Sequence, residues 1–344
     1  MDNKITKKRL SDFFAYEWIA IIVAIVIFIV AWEMLYALCE VKLSVGQKFK
    51  YYYDKGVVSA NSSTFYSRVV DGLSYDVISV GRETISAERD VLSDRLSIGE
   101  GDVIFTNSTE NVDANKLTED LNVRSKLIVD TCGVYHLEEL LLEGQKYLKN
   151  TFFFDQYKTL DLGVQEYTKD KIDQAKVKKV FLERMKGDNR FRSQEQKETG
   201  IKQELKRVED LCKEIVDFGV FMNYAREHDA QSQEKILYRY TMYDQAKQIA
   251  KNLGDERRVA EIEEYQKIHL AVGNRQNAPY GINLNALRGG KTNASEFAHL
   301  EGKDTAENIV MMVFNFSLDQ PHLQYETITF MNMIIRDCTN GIID

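Results

Sequence analysis

The residues able to do chemistry are scattered along this chain. GGKT (289–292) has the ending of a phosphate-binding loop, in which glycine amides cradle phosphate and the lysine reaches the outer oxygens. That pattern needs a glycine five residues before Gly290, and the position holds Asn285. The stretch reads as a polar turn. The histidines are His136, His228, His269, His299 and His322, and no two share the i, i+4 spacing of a helical metal pair. Cys132 and His136 have that spacing, but two ligands do not make a zinc site. Asp113, Asn115 and Glu119 resemble a broken calcium loop without its central glycine and terminal glutamate. No GxSxG, HExxH or GxGxxG occurs. Nothing local selects a nucleophile or an acid/base pair. The expectation is a protein that is not an enzyme and uses no metal or cofactor.

The element that positions everything else is Trp18–Cys39, WIAIIVAIVIFIVAWEMLYALC. Its only charge is Glu33, about one turn from the end and able to snorkel to the interface. A helix of this length crosses a hydrocarbon core of ~30 Å. Lys4, Lys7, Lys8 and Arg9 precede it, and aromatic residues flank both ends. The run is longer than a signal-peptide core, and no small-x-small site follows. Leu38 before Cys39 argues against a lipoprotein. The expected layout is a cytoplasmic tail over residues 1–17, a retained single-pass transmembrane helix, and an extracytoplasmic domain over 40–344. Lys42, Lys48, Lys50 and Lys55 bring the raw charge count close to even. The short, densely basic tail decides the orientation.

The domain is long enough to bury a substantial core. The chain has 344 residues, a net charge of −8 and only two prolines, Pro279 and Pro321. Acidic and basic residues alternate, and no Lys/Arg block follows the helix, which argues against nucleic acid. Cys132, Cys212 and Cys338 are far apart and suit buried apolar positions better than a disulfide framework. Their disulfide status stays open from sequence.

Read in order, Val41, Leu43 and Val45 alternate as in a short strand. Tyr51, Tyr52 and Tyr53 suit a juxtamembrane stack or a half-buried strand. SYDVISV (74–80) and GDVIFT (101–106) are strand-like, with a helix capped by Ser86 between them. This predicts a βαβ unit whose parallel strands, 76–80 and 102–106, are neighbours. KLIVD (126–130) is a third candidate strand. Helices are predicted within 135–154, over 169–186 with Thr168 as cap, through 201–215, and as a pair at 242–253 and 257–271. NIVMMVFNF (308–316) reads as a central strand of the same domain, and LQYETITFMNMIIRD (323–337) as a closing helix.

Three stretches resemble the type 2 periplasmic, or extracellular solute-binding, fold. They are SYDVISVGRETISAERDVLSDRLSIGEGDVIFT, PYGINLNAL and LQYETITFMNMIIRD. The N-terminal layout also looks like that of single-pass Firmicutes membrane proteins. The resemblance implies an α/β domain with a large helical share, two lobes and a ligand cleft between them. It places Tyr280, Tyr325 and Asp102 near that cleft as ligand-binding residues. Both tryptophans, Trp18 and Trp32, lie in the membrane segment, so none is left to stack on a sugar. The expected function is a non-enzymatic, membrane-anchored binding or accessory protein. The alternative is a structural or regulatory partner of another membrane protein, with no functional cleft. The implied partners are the membrane, a small solute or a membrane protein.

Overall fold

The computed structural model describes residues 18–39, 48–54, 63–73, 78–85, 101–107, 136–239, 250–260, 279–287, 309–314 and 323–339, with a few short pieces between them. Met1–Lys42 and the turn Gly187–Arg190 form one compact unit; Leu43–Lys186 and Phe191–Asp344 form another.

In the first unit, α1 (Trp18–Cys39) is one unbroken helix of 22 residues, ~33 Å long. It has no polar side. Trp18–Tyr36 has a mean hydropathy of 2.7, and no part of it is buried. Phe28 stacks on Trp32 with ring centroids 6.3 Å apart. A helix apolar all round needs either a protein interior or lipid. This one fits a single-pass membrane anchor or a signal sequence.

The second unit is mixed α/β. Its strands are β1 (Lys48–Asp54), β2 (Ser79–Ile85), β3 (Val103–Asn107), β4 (Leu237–Arg239), β5 (Pro279–Asn283), the short pair β6 (His299–Leu300) and β7 (Lys303–Asp304), and β8 (Ile309–Val313). Six of them form a sheet in the order β2-β1-β3-β8-β5-β4, and β6 pairs with β7 alone. The longer helices are α2 (Ser63–Gly72), α3 (Leu137–Phe152), α4 (Gln174–Arg184), α5 (Gln194–Gln231) and α6 (Leu323–Thr339).

The predicted strand pairing is corrected here. β1 lies between β2 and β3 and pairs in parallel with both, Phe49 against Val80 and Tyr52 against Ile104. β2 covers Ser79–Ile85 and takes in only the end of the predicted 76–80 strand; β2 and β3 share a sheet and a direction, but not a border. The cause is β1 itself. Phe49, Tyr51, Tyr52 and Tyr53 are at most 5 % exposed, so both faces of KFKYYYD bury aromatic rings and the strand belongs at the centre. The tyrosines are fully buried, beyond the half-buried strand expected of them. β1, α2 and β2 form the crossover unit, with α2 in the role given to the helix after Ser86. That helix, the 41–45 strand, the 126–130 strand and most of the 242–271 helix pair lie outside the described residues.

The predicted strand 308–316 appears as β8, antiparallel to β3 and β5. The predicted closing helix appears as α6. The helix predicted over 169–186 is broken. Lys169–Lys171 form a 3-10 turn, and Ile172 then bridges to Phe153. Asp173 caps α4, accepting from the Ala175 amide at 2.9 Å. Burying Ile172 (5 % exposed) in the bridge outweighs helical continuity. α5 starts at a capping box: the Ser193 hydroxyl accepts from the Gln196 amide at 3.1 Å, and Gln196 Oε1 accepts from the Ser193 amide at 2.9 Å.

The core sits between the sheet and α6. The Phe330 ring packs 5.0 Å from Phe49, 5.6 Å from Tyr51 and 5.9 Å from Phe105. Tyr52, Ile104 and Met312 are buried on the opposite face. Gly101 stands at φ 108°, and a Cβ there would lie 2.0 Å from Tyr52 Cε2. Gly101→Ala should destabilise the domain by about 3 kcal/mol or more, from backbone strain together with the clash. Urea unfolding of the full chain in detergent, followed by far-ultraviolet circular dichroism, reads this. An unchanged midpoint would contradict the packing of Tyr52 on Gly101.

Candidate functional site

The structure brings Asp102 and Tyr280 to one edge of the sheet. β8 pairs Val103 with Val313 and Gly281 with Met312, so the residues just before Val103 and Gly281 sit two strands apart at the same end. Both mark the amino ends of their strands. In open α/β sheets, ligand crevices form outside the carboxyl ends. Neither side chain is presented to solvent: Asp102 is 3 % and Tyr280 8 % exposed. Tyr280 packs on His136, the residue before α3, with centroids 4.4 Å apart. The side chain of Tyr325 lies outside the described residues, as do Cys132, the GGKT turn and the Asp113–Asn115–Glu119 set.

Next to Asp102 lies a buried ionic cluster. Glu204 and Arg207 are one turn apart on α5, Arg184 ends α4, and Glu326 lies in the first turn of α6. Arg207 donates from Nε to Glu204 Oε2 at 2.9 Å and from Nη2 to Glu204 Oε1 at 2.7 Å. Its Nη1 donates to Glu326 Oε1. Arg184 Nη2 donates to Glu204 Oε2 at 2.7 Å. Asp102 Oδ2 accepts from the Lys50 amide at 2.7 Å, which fastens the start of β3 to β1. Asp102 Oδ1 and Glu326 Oε2 are buried with no hydrogen-bond partner.

Two carboxyl groups, Glu204 and Glu326, thus share the Arg207 guanidinium, with Arg184 adding a second at Glu204. Burial works against ionising Glu204, but Arg207 and Arg184 more than offset it and hold its carboxyl below the ordinary range. Burial pushes Glu326 up to about 7, with Arg207 and Arg184 opposing. Burial also carries Asp102 well above the ordinary carboxylate range; the Lys50 amide opposes this and the nearby Glu326 adds to it. The Arg184 and Arg207 contacts tie α4, α5 and α6 together, and the Lys50 amide ties Asp102 to β1. The cluster offers no exposed nucleophile. Cys212 and Cys338 are buried, and burial raises the Cys212 thiol to about 12, far from a reactive thiolate. Among the described residues, no group of three His, Cys, Asp or Glu side chains could hold a metal.

Sequence reasoning reached Asp102 but not its neighbours. Glu204 and Arg207 flank the apolar positions Leu205 and Val208 of a helix read for its apolar stripe. The available signal was an acid and a base at i, i+3 beside buried positions. No family model, curated protein or solved structure matches the chain.

Glu326 gives a testable pH dependence. Its folded value, about 7, lies above its ordinary 4.5. The folded chain therefore binds the proton more tightly than the unfolded chain. The resulting stability is full below about pH 4.5 and is lost as pH rises through about 7. Asp102 acts in the same direction. In Glu326→Gln, the fall in urea midpoint over that window should be shallower than in the parent. Equal slopes would show that Glu326 ionises normally.

Proposed function

We propose that the chain is a membrane-anchored, extracytoplasmic, non-enzymatic binding or accessory protein, with a solute-binding-like α/β domain carried on α1. The observation that carries this reading is α1, apolar on every side and unburied, joined to a folded domain. The interior ionic chemistry of that domain is engaged in holding helices together, which supports a role without catalysis. The basic residues Lys4, Lys7, Lys8 and Arg9 support a cytoplasmic N-terminus. A second reading, a partner of another membrane protein without a ligand cleft, draws support from Asp102 and Tyr280. These two of the three residues nominated for a cleft are buried, one bonded to the Lys50 amide and one covered by His136.

Ser63 is exposed at the start of α2, so Ser63→Cys tests the orientation. A membrane-impermeant maleimide should label this variant above the level of the parent chain in intact cells. Labelling only after lysis would place the domain in the cytoplasm.

A thermal-shift screen of the full chain in detergent against sugars, amino acids and short peptides separates receptor from accessory protein. A bound ligand adds ~2.7 kcal/mol at a hundredfold excess over Kd. No saturable shift is expected. A saturable shift that disappears in Tyr280→Phe would establish a receptor that uses the Tyr280 hydroxyl.

A further inference from the structure

α6 is fastened unevenly along its length. Toward its carboxyl end the ionic groups are paired: Arg336 Nη2 lies 2.8 Å from Glu214 Oε2 and 2.6 Å from Asp217 Oδ2, and Arg68 of α2 bonds Asp337. Ile328, Phe330, Met331, Ile334 and Ile335 are completely buried along the way. The first turn hangs on Glu326. Its Oε1 accepts from Arg207 Nη1, but Arg207 already gives Nε and Nη2 to Glu204. Glu326 Oε2 is buried with no hydrogen-bond partner. The opening amides of a helix have no acceptor within it, so freeing this turn breaks few helical bonds.

A second orphan oxygen belongs to Asp102, and Asp102 cannot follow a moving helix. Its amide donates to the Lys50 carbonyl at 2.7 Å, its carbonyl accepts from the Phe314 amide at 2.9 Å, and its Oδ2 accepts from the Lys50 amide at 2.7 Å. Asp102 Oδ1 is buried without a partner, and the charge of Glu326 reaches it. Unpartnered buried oxygens on two coupled acids favour the protonated forms over a pair of carboxylates. The other charged groups facing Glu326 are Arg207 and Glu204 on α5 and Arg184 at the end of α4. From β1, Lys50 turns its ammonium to Glu83. α3 presents Gly144 to Ile328, and its Glu143 pairs with Lys146. The turn Leu284–Leu287 (LNAL) has no titratable side chain.

We infer that Glu326 and Asp102 form a pH-operated latch on α6: with both acids protonated the first turn lies closed beside Asp102, and as Glu326 gives its proton to solvent that turn swings out while the helix from Ile328 onward stays in place. The closed form keeps the Glu326 proton up to about 7, whereas the released turn loses it at the ordinary 4.5. Opening therefore becomes easier as pH rises through the window between these two values, and acid closes the latch. Asp102 is the fixed half and Glu326 the moving half. Opening is confined to one turn and is distinct from unfolding of the domain.

The test is hydrogen exchange of the full chain in detergent at pH 5 and pH 7, corrected for the intrinsic pH dependence of exchange. Amides of residues 327–329, the first that bond within the helix, should lose about tenfold or more of their protection at the higher pH. Amides of residues 331–337 should keep theirs. In Glu326→Gln the loss at 327–329 should vanish. In Asp102→Asn, which keeps an acceptor for the Lys50 amide and removes the second acid, it should shrink several-fold. The parent profile decides even where a variant fails to fold. Equal protection of residues 327–329 at both pH values overturns the latch, as does a loss spread evenly over α6 and the sheet. A loss of the parent's size in either folded variant overturns it too.

Discussion

The fold depends on the burial of α6 between the sheet and α5. Ile328, Phe330, Met331, Ile334 and Ile335 are completely buried, and Phe330 reaches rings from both β1 and β3. Burying each such side chain contributes roughly 1.5–3 kcal/mol, so this one helix supplies much of the apolar contact across the sheet. Its polar residues then fix its angle. Glu326 meets Arg207 at the first turn. Further on, Arg336 Nη2 lies 2.8 Å from Glu214 Oε2 and 2.6 Å from Asp217 Oδ2, and Asn332 donates to the Glu214 carbonyl at 2.7 Å. Asp337 accepts from Arg68 of α2. These partners advance together along both helices, so α5 and α6 run parallel. Rotating or sliding α6 would strand the buried Arg207–Glu326 pair and break the part-buried contacts of Arg336, and breaking a buried pair is costly.

That arrangement explains which parts of the fold were legible in the sequence. α1, β8, α5 and α6 announce themselves because each carries its own period of apolar residues over a long or unbroken run. The centre of the sheet did not. β1 is KFKYYYD, whose lysines and tyrosine hydroxyls look like a surface. The Tyr51 phenol stays within a packed interior by interacting with Arg82, and burial raises its pKa. The Lys50 ammonium pairs with Glu83 at 2.7 Å. Such compensation comes from a neighbouring strand, so no local pattern reports it. The break before α4 has the same character: Ile172 leaves a helical pattern because Phe153, far back in sequence, takes it.

The candidate site was legible only at one point. Asp102 stood out as an acid opening an apolar strand, and it does lie beside other ionisable groups. Their identity could not be read, because Arg207 and Glu326 meet across more than a hundred residues. Tyr280 was nominated for a cleft, and it lies at the same end of the sheet as Asp102, where packing keeps it. Its ring is held by packing on His136 at the end of a strand, and apolar burial of that kind looks the same in sequence as a tyrosine poised over a ligand.

Both tryptophans of the chain belong to α1, and each is more than half exposed, Trp18 at 52 % and Trp32 at 63 %. The domain beyond it contains tyrosine and phenylalanine alone. The intrinsic indole emission of this protein is therefore a spectroscopic channel devoted to one helix. It shifts when α1 passes from water or detergent into lipid, and it stays silent while the domain melts. Insertion and unfolding can thus be followed side by side in one sample, without any label.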